Sequence, residues 1–220
     1  MKSLNALLLI ILTSALSSCF EIIEDVSINE DGSGKFRYIV NFSQSAPKIK
    51  SLLLMDEVDG VAVPTEAVMK SKFDAACQIT KKAQGISDVS FASDFDDYIF
   101  TYQCNFKNTT SLNLAIDSVK NHLGDDNLGY QYFNYQTTPK KFNRVGDDLI
   151  VNLWRKMSTS QRLIFVGAKY TCLYRFFDEI STFDSIGSKL SADKKTSFKL
   201  MYMSGMINNG HLIDQEIILK

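Results

Sequence analysis

Histidine and tryptophan are scarce in this chain, with two and one respectively in 220 residues, and only three prolines occur. Each scarcity excludes something. His122 and His211 lie far apart with no cysteine motif between them, so no zinc site of the usual spacing is expected. Three prolines form no proline-rich linker, and no internal repeat or low-complexity tract divides the chain. Neither sign of charge is in excess, with 24 Lys and Arg against 25 Asp and Glu. The lysines come singly or in pairs rather than as a stripe, which argues against nucleic acid as a partner, because neutralising phosphates needs clustered cations. Past the N-terminus no apolar run reaches the roughly 18 residues of a membrane helix; Leu163-Ile164-Phe165-Val166 soon meets Gly167 and Lys169.

Reaction motifs are also missing. A nucleophile elbow needs Gly-x-Ser-x-Gly, and Ser33, Ser188 and Ser204 lack that frame despite nearby glycines. Glu24 with Asp25, and Asp96 with Asp97, are adjacent, so in strands they would face opposite sides. The segment Asn29-Glu30-Asp31-Gly32-Ser33-Gly34 fails as a calcium loop, since Ser27 and Tyr38 would fall at its first and twelfth positions. It fails as a phosphate loop too, with Asn29 where the first glycine belongs and Phe36 where the hydroxyl belongs. The expectation is a protein that is not an enzyme and holds no metal or cofactor.

Four cysteines are present, Cys19, Cys77, Cys104 and Cys172. The last three sit at positions that read as apolar, so three buried thiols acting as small hydrophobes is one account. A single bridge is the other, with Cys77 and Cys104 the pair to test because their elements are consecutive.

What is present begins at the N-terminus. Lys2 precedes an apolar run from Ala6 to Leu12, and small residues follow up to Leu16-Ser17-Ser18-Cys19. A positive start, a short apolar stretch and small residues at the end make a secretory signal rather than a span. The tetrapeptide Leu16-Ser17-Ser18-Cys19 resembles the lipobox of bacterial lipoproteins. That resemblance implies removal of residues 1–18, diacylglycerol on the Cys19 sulfur, and an acylated Cys19 as the new N-terminus. Residues 19–220 are then expected to be one domain tethered by lipid. Two or three acyl chains hold such a domain on a bilayer far longer than one would.

Along the rest of the chain, Phe20, Ile22, Val26 and Ile28 alternate with polar residues, as do Phe36, Tyr38, Val40 and Phe42, which predicts a hairpin across the Asn29–Gly34 turn. Ile49, Leu52 and Leu53 suggest a short helix. Met69, Phe73, Ala76, Thr80 and Ala83 share one face of a longer helix from about Thr65 to Gln84, stopped by Gly85. Val89 and Phe91, then Tyr98, Phe100, Tyr102, Cys104 and Phe106, predict a second hairpin whose tip carries Asp94, Asp96 and Asp97. Asn108 caps a third helix through Leu112, Ala115, Ile116, Val119 and Leu123, with His122 in its last turn. From Leu128 on, strands are expected over 129–135, Leu149 to Leu153 and Tyr170 to Phe176, with a short helix at Ser158 to Val166. A meander then runs through Phe198, Leu200 and Tyr202 and on through Leu212 to Leu219. The fold expected is α+β: an antiparallel sheet of hairpins and a C-terminal meander with about three helices packed on one face.

The lipobox, the Asn29–Gly34 turn, the strand ending Asn41-Phe42-Ser43 and the Leu190-Ser191-Ala192-Asp193 turn together look like uncharacterised envelope lipoproteins of Bacteroidetes-type bacteria. That resemblance implies an exported α+β domain and transfers no active site. Phe20 after Cys19 lacks the aspartate that retains lipoproteins in the inner membrane, and Phe20 to Asp25 lacks the tract associated with surface display, so the outer membrane, facing the periplasm, is implied. The expected function is a non-catalytic binding or structural module for an envelope protein or glycan, with Tyr130, Tyr132, Phe133 and Tyr135 as aromatic supply. The alternative is an envelope hydrolase joining Asp94 or Asp97 to His122 or His211.

Overall fold

The computed structural model describes residues 20–124, 128–146, 149–162, 165, 167–184 and 187–220. The signal segment and the proposed lipid attachment at Cys19 lie outside the described residues.

Strands β1 (Glu21–Ile28) and β2 (Gly34–Asn41) form the expected hairpin, in register from Glu21 opposite Asn41 to Ile28 opposite Gly34. Its turn depends on the side chain of Asp31, whose carboxylate accepts from the Ser33 amide at 3.0 Å and the Ser33 hydroxyl at 2.6 Å. The two glycines serve different needs. Gly32 takes φ of +82°, whereas a Cβ on Gly34 would lie 2.0 Å from the Ser27 carbonyl oxygen. A short helix α1 (Ala46–Leu53) follows β2, and the small hairpin β3 (Glu57–Val58) and β4 (Val61–Ala62) leads to α2 (Glu66–Lys81), capped by the Thr65 hydroxyl. The second expected hairpin is β5 (Ile86–Asp94) with β6 (Ile99–Phe106). Helix α3 (Thr109–His122) starts where the Asn108 side chain accepts from the Ser111 amide at 2.8 Å.

The second half of the chain departs further from expectation. It contains β7 (Phe133–Thr137), β8 (Lys140–Arg144), helices α4 (Leu149–Lys156) and α5 (Thr159–Arg162), and strands β9 (Lys169–Phe176), β10 (Ile180–Asp184), β11 (Ser188–Leu190) and β12 (Thr196–Tyr202). A single turn α6 (Met203–Met206) and a 3-10 turn (Gly210–Ile213) precede β13 (Gln215–Leu219). The stretch Leu149 to Leu153 is helical rather than extended. Val151 is buried and Trp154 half-buried three residues on, while Asn152, Leu153 and Arg155 are exposed, which is a helical period. Strand β7 starts only at Phe133, so Tyr130 and Tyr132 precede it. Within the short helix expected over Ser158 to Val166, α5 covers Thr159–Arg162, and residues 163, 164 and 166 lie outside the described residues.

Instead of one antiparallel sheet there are two principal sheets, one of them mixed. Seven strands run in the order β11-β12-β9-β1-β2-β6-β5, and four more in the order β10-β13-β8-β7. Strands β1 and β9 are parallel, Glu21 opposite Lys169 through Ile28 opposite Phe176. The C-terminal meander is thereby split, since β12 joins the large sheet while β13 lies between β10 and β8 in the small one. Alternation assigns faces to strands but carries no information about partners, which is why it suggested a single meander. The fold is α+β, with α2 on the β5 edge of the large sheet, α3 bridging from α2 to β7, and the small sheet beside them over β1 and β9. One apolar cluster runs through both sheets, joining Val26, Phe106 and Tyr174 of the large one to Phe133, Phe142 and Ile217 of the small one. Phe142, fully buried against Tyr174 at 5.0 Å and Phe176 at 5.5 Å, contributes about 1.5–3 kcal/mol by its burial alone.

Candidate functional site

Because α2 and α3 present small side chains toward the large sheet, the layers do not close fully. A cavity of about 330 Å³ lies between Phe36, Tyr38 and Tyr102 of the sheet and Ala76, Thr80 and Ala115 of the helices. A second, of about 290 Å³, lies between Phe42, Tyr98 and Phe100 on the sheet side and Ile49 and Leu52 of α1, with Val61 of the small hairpin on its rim. Between them stands a ring stack: Phe73 of α2 lies 4.3 Å from Phe91 and 5.6 Å from Phe100, near-parallel to both. Among the described residues neither cavity is lined by a carboxylate, histidine or cysteine. Lys120, at the edge of the larger one, donates to the Tyr132 hydroxyl at 2.5 Å and stacks over that ring. The walls of both cavities are mainly apolar, with Thr80, Lys120, Tyr38 and Tyr102 the residues that bring polar groups to the larger one.

Beside the larger cavity, an ion pair is sealed between the two sheets. Glu24 of β1 faces Arg144 of β8, which donates through Nε to Oε1 at 2.9 Å and through Nη2 to Oε2 at 2.8 Å. Tyr170 and Tyr174 donate to the same carboxylate at 2.9 and 2.5 Å, so both oxygens are fully used. The guanidinium also stacks 4.7 Å from the centre of the Phe133 ring and donates to the Val145 carbonyl. Burial pushes the Glu24 carboxyl up, yet the charge and hydrogen bonds of Arg144, joined by those of the two tyrosines, outweigh it and hold the group below its ordinary value. Burial likewise drives the phenols of Tyr170 and Tyr174 well up, and the Glu24 charge adds to it. With Glu24 2% and Arg144 8% exposed, the cluster is closed to substrate and joins the sheets.

Asp25 points the other way, as adjacent strand residues must. It pairs with Arg37 at 2.5 Å and with Arg175, both of which remain about two-fifths exposed, with Lys35 nearby.

The residues considered for catalysis are not brought together. Asp94 spends its carboxylate on the amides of Asp96 and Asp97 at 2.9 and 3.0 Å, an ordinary polar turn. His211 pairs with Asp214 at 3.3 Å on the exposed 3-10 turn, and His122 ends α3. No group of three His, Cys, Asp or Glu among the described residues could hold a metal ion. Cys77, Cys104 and Cys172 are free and buried, so Cys77 and Cys104 form no bridge, and burial raises all three thiols, that of Cys104 to about 11. The aromatic supply is mostly core. Phe133 is 1% and Tyr132 7% exposed, and Tyr130 donates to the Gly146 carbonyl, so no exposed aromatic patch forms there.

Sequence reasoning missed the Glu24 clamp, although a signal existed. Glu24 falls on the inward parity of Ile22 and Val26, where a charge requires a buried partner.

No protein-family profile and no curated protein matches the chain. Among solved structures, the chain is similar to the folded domain of the Mycobacterium tuberculosis protein LppM, determined by NMR. The identity is 12%, the TM-score 0.42, and the match covers 91% of this chain and 89% of that one. No residue role is transferred from it.

Proposed function

We propose that the chain is a lipid-anchored, non-catalytic binding module of the bacterial envelope, one domain tethered through Cys19 to the outer membrane and facing the periplasm. Its ligand is apolar and lodges between the helices and the large sheet. The observation that carries this reading is the larger cavity, about 330 Å³ and walled by aromatic and aliphatic side chains without a carboxylate, histidine or cysteine. The lipobox supplies the tether. Among the described residues no helix is long and apolar enough to cross a membrane.

Mass spectrometry of the full chain extracted from cell membranes tests both halves. Under denaturing conditions the mass should include acyl chains that Cys19→Ala loses. Under native conditions, palmitic acid added as probe should bind one equivalent, and Ala76→Phe, which fills the cavity, should lose that adduct by about tenfold. Equal probe binding by the filled variant, or turnover of an envelope substrate abolished by mutating a cavity residue, overturns the binding reading.

A further inference from the structure

We infer that the end of the domain carrying Phe20 is a seat for the bilayer, a reading that rests on the proposed lipid at Cys19. The geometry begins with a missing linker. Phe20 is 3% exposed, its ring lies 4.8 Å from Phe42 and 5.3 Å from Phe165, and its carbonyl accepts from the Lys169 amide at 2.9 Å. Consecutive Cα atoms are about 3.8 Å apart, so an anchor on Cys19 holds this end of the domain at the membrane surface.

Strand directions say what else lies there. The starts of β1, β6 and β9 and the ends of β2 and β12 meet at that edge, and α1, the β3–β4 hairpin and α6 extend from it. Helix α4 joins them through Trp154, whose ring lies 6.0 Å from Phe165. Of the large apolar side chains left in solvent, Leu54 (88% exposed), Met55 (51%), Val61 (55%), Tyr202 (55%) and Leu153 (46%) belong to this end, while Leu114 (56%) and Leu123 (68%) belong to α3 and its C-terminus. The opposite edge is different in kind. Its turns present Asn29, Glu30 and Asp31 on one hairpin and Asp193 and Lys194 on another. A soluble surface does not gather two exposed leucines, a methionine, a valine and a tyrosine at one end without something to cover them. A bilayer surface fits: aliphatic tips enter the acyl boundary while an amphipathic ring such as Tyr202 sits at headgroup level. The smaller cavity, with Val61 on its rim, belongs to the same end and faces the same leaflet.

The test places a nitrobenzoxadiazole fluorophore on Met55→Cys and, separately, on Glu30→Cys, in the full lipidated chain reconstituted in phosphatidylethanolamine and phosphatidylglycerol vesicles. Cys77, Cys104 and Cys172 are buried and the lipid occupies the Cys19 sulfur, which leaves the added cysteine as the reactive site. The expected result is blue-shifted emission at position 55, quenched several-fold more by lipids brominated on the acyl chain than at position 30. Leu54→Glu with Val61→Glu, two exposed positions, should abolish the shift while leaving the circular dichroism unchanged. Acyl mass on Cys19 with water-like emission at position 55 overturns the seat alone. Absence of acyl mass overturns the anchor and the seat together.

Discussion

The Arg144 guanidinium and the Glu24 carboxylate are each other's reason for being buried. Removing one leaves an uncompensated charge in the core, so Arg144→Met should destabilise the fold by about 3–5 kcal/mol. Glu24→Gln with Arg144→Met should restore most of that, because the neutral amide leaves no buried charge, its carbonyl accepts from one of Tyr170 and Tyr174, and its NH2 donates to the hydroxyl oxygen of the other. Acidity separates the two states. In the native protein the Glu24 carboxyl lies below its ordinary 4.5, so its stabilisation is present above that value and is lost as pH falls through the depressed one. In Arg144→Met the carboxyl is buried without a counter-charge and its titration moves up. That variant should instead gain stability on acidification below neutral pH. Urea midpoints across an acid series check both the magnitude and this reversal of sign. A charge on an inward parity is legible in the sequence, but its partner is not: Glu24 and Arg144 are 120 residues apart.

Hairpins, capped helices and their stops were legible because each is specified within a few residues. The Asn108 cap, the start of α2 near Thr65 and the glycines beyond α2 and α3, both at positive φ, are where the sequence puts them. The parallel pairing of β1 with β9 was not legible, nor was the division into two sheets, because both depend on contacts between distant strands. Helix α4 was misread since Leu149-Ile150-Val151 favours strand locally, while the burial of Val151 and Trp154 decides the matter through tertiary packing. At the cavities, the apolar stripe of α2 was visible, but small side chains opposite one another leave a gap only when two elements meet. The β1–β2 hairpin offers a direct measurement. Gly34→Ala drives a methyl into the Ser27 carbonyl and the Phe106 ring, backbone and core together, and should cost about 1–3 kcal/mol or more. Gly32→Ala meets the Tyr135 ring at 3.2 Å and carries a left-handed penalty of about 1–2 kcal/mol. The register-setting Gly34 should show the larger shift in denaturation midpoint.

At the scale of the whole molecule, an apolar cluster that runs through both sheets, the buried Glu24–Arg144 pair and hydrogen bonds such as Ser197 to Gln215 hold the described parts of the two sheets together, so neither has a separate core to fall back on. Thermal unfolding should be a single transition, with the fluorescence of Trp154 on α4 and the far-ultraviolet signal of the sheets superimposing. Two separated transitions would mean that the sheets are independent domains.

The pairing of β1 with β9 also sets an order of events. Synthesis proceeds from the N-terminus, so the central strand of the large sheet exists long before residues 169–176 that complete one of its sides. Until then one row of β1 amides and carbonyls stays unpaired, an open template for any passing strand. The β1–β2–β6–β5 half is built from neighbouring hairpins and closes early, whereas the other half must wait for nearly the whole chain. The nascent protein therefore passes through a stage with an exposed sheet edge at its centre, and a holding chaperone would need to guard that edge during biogenesis.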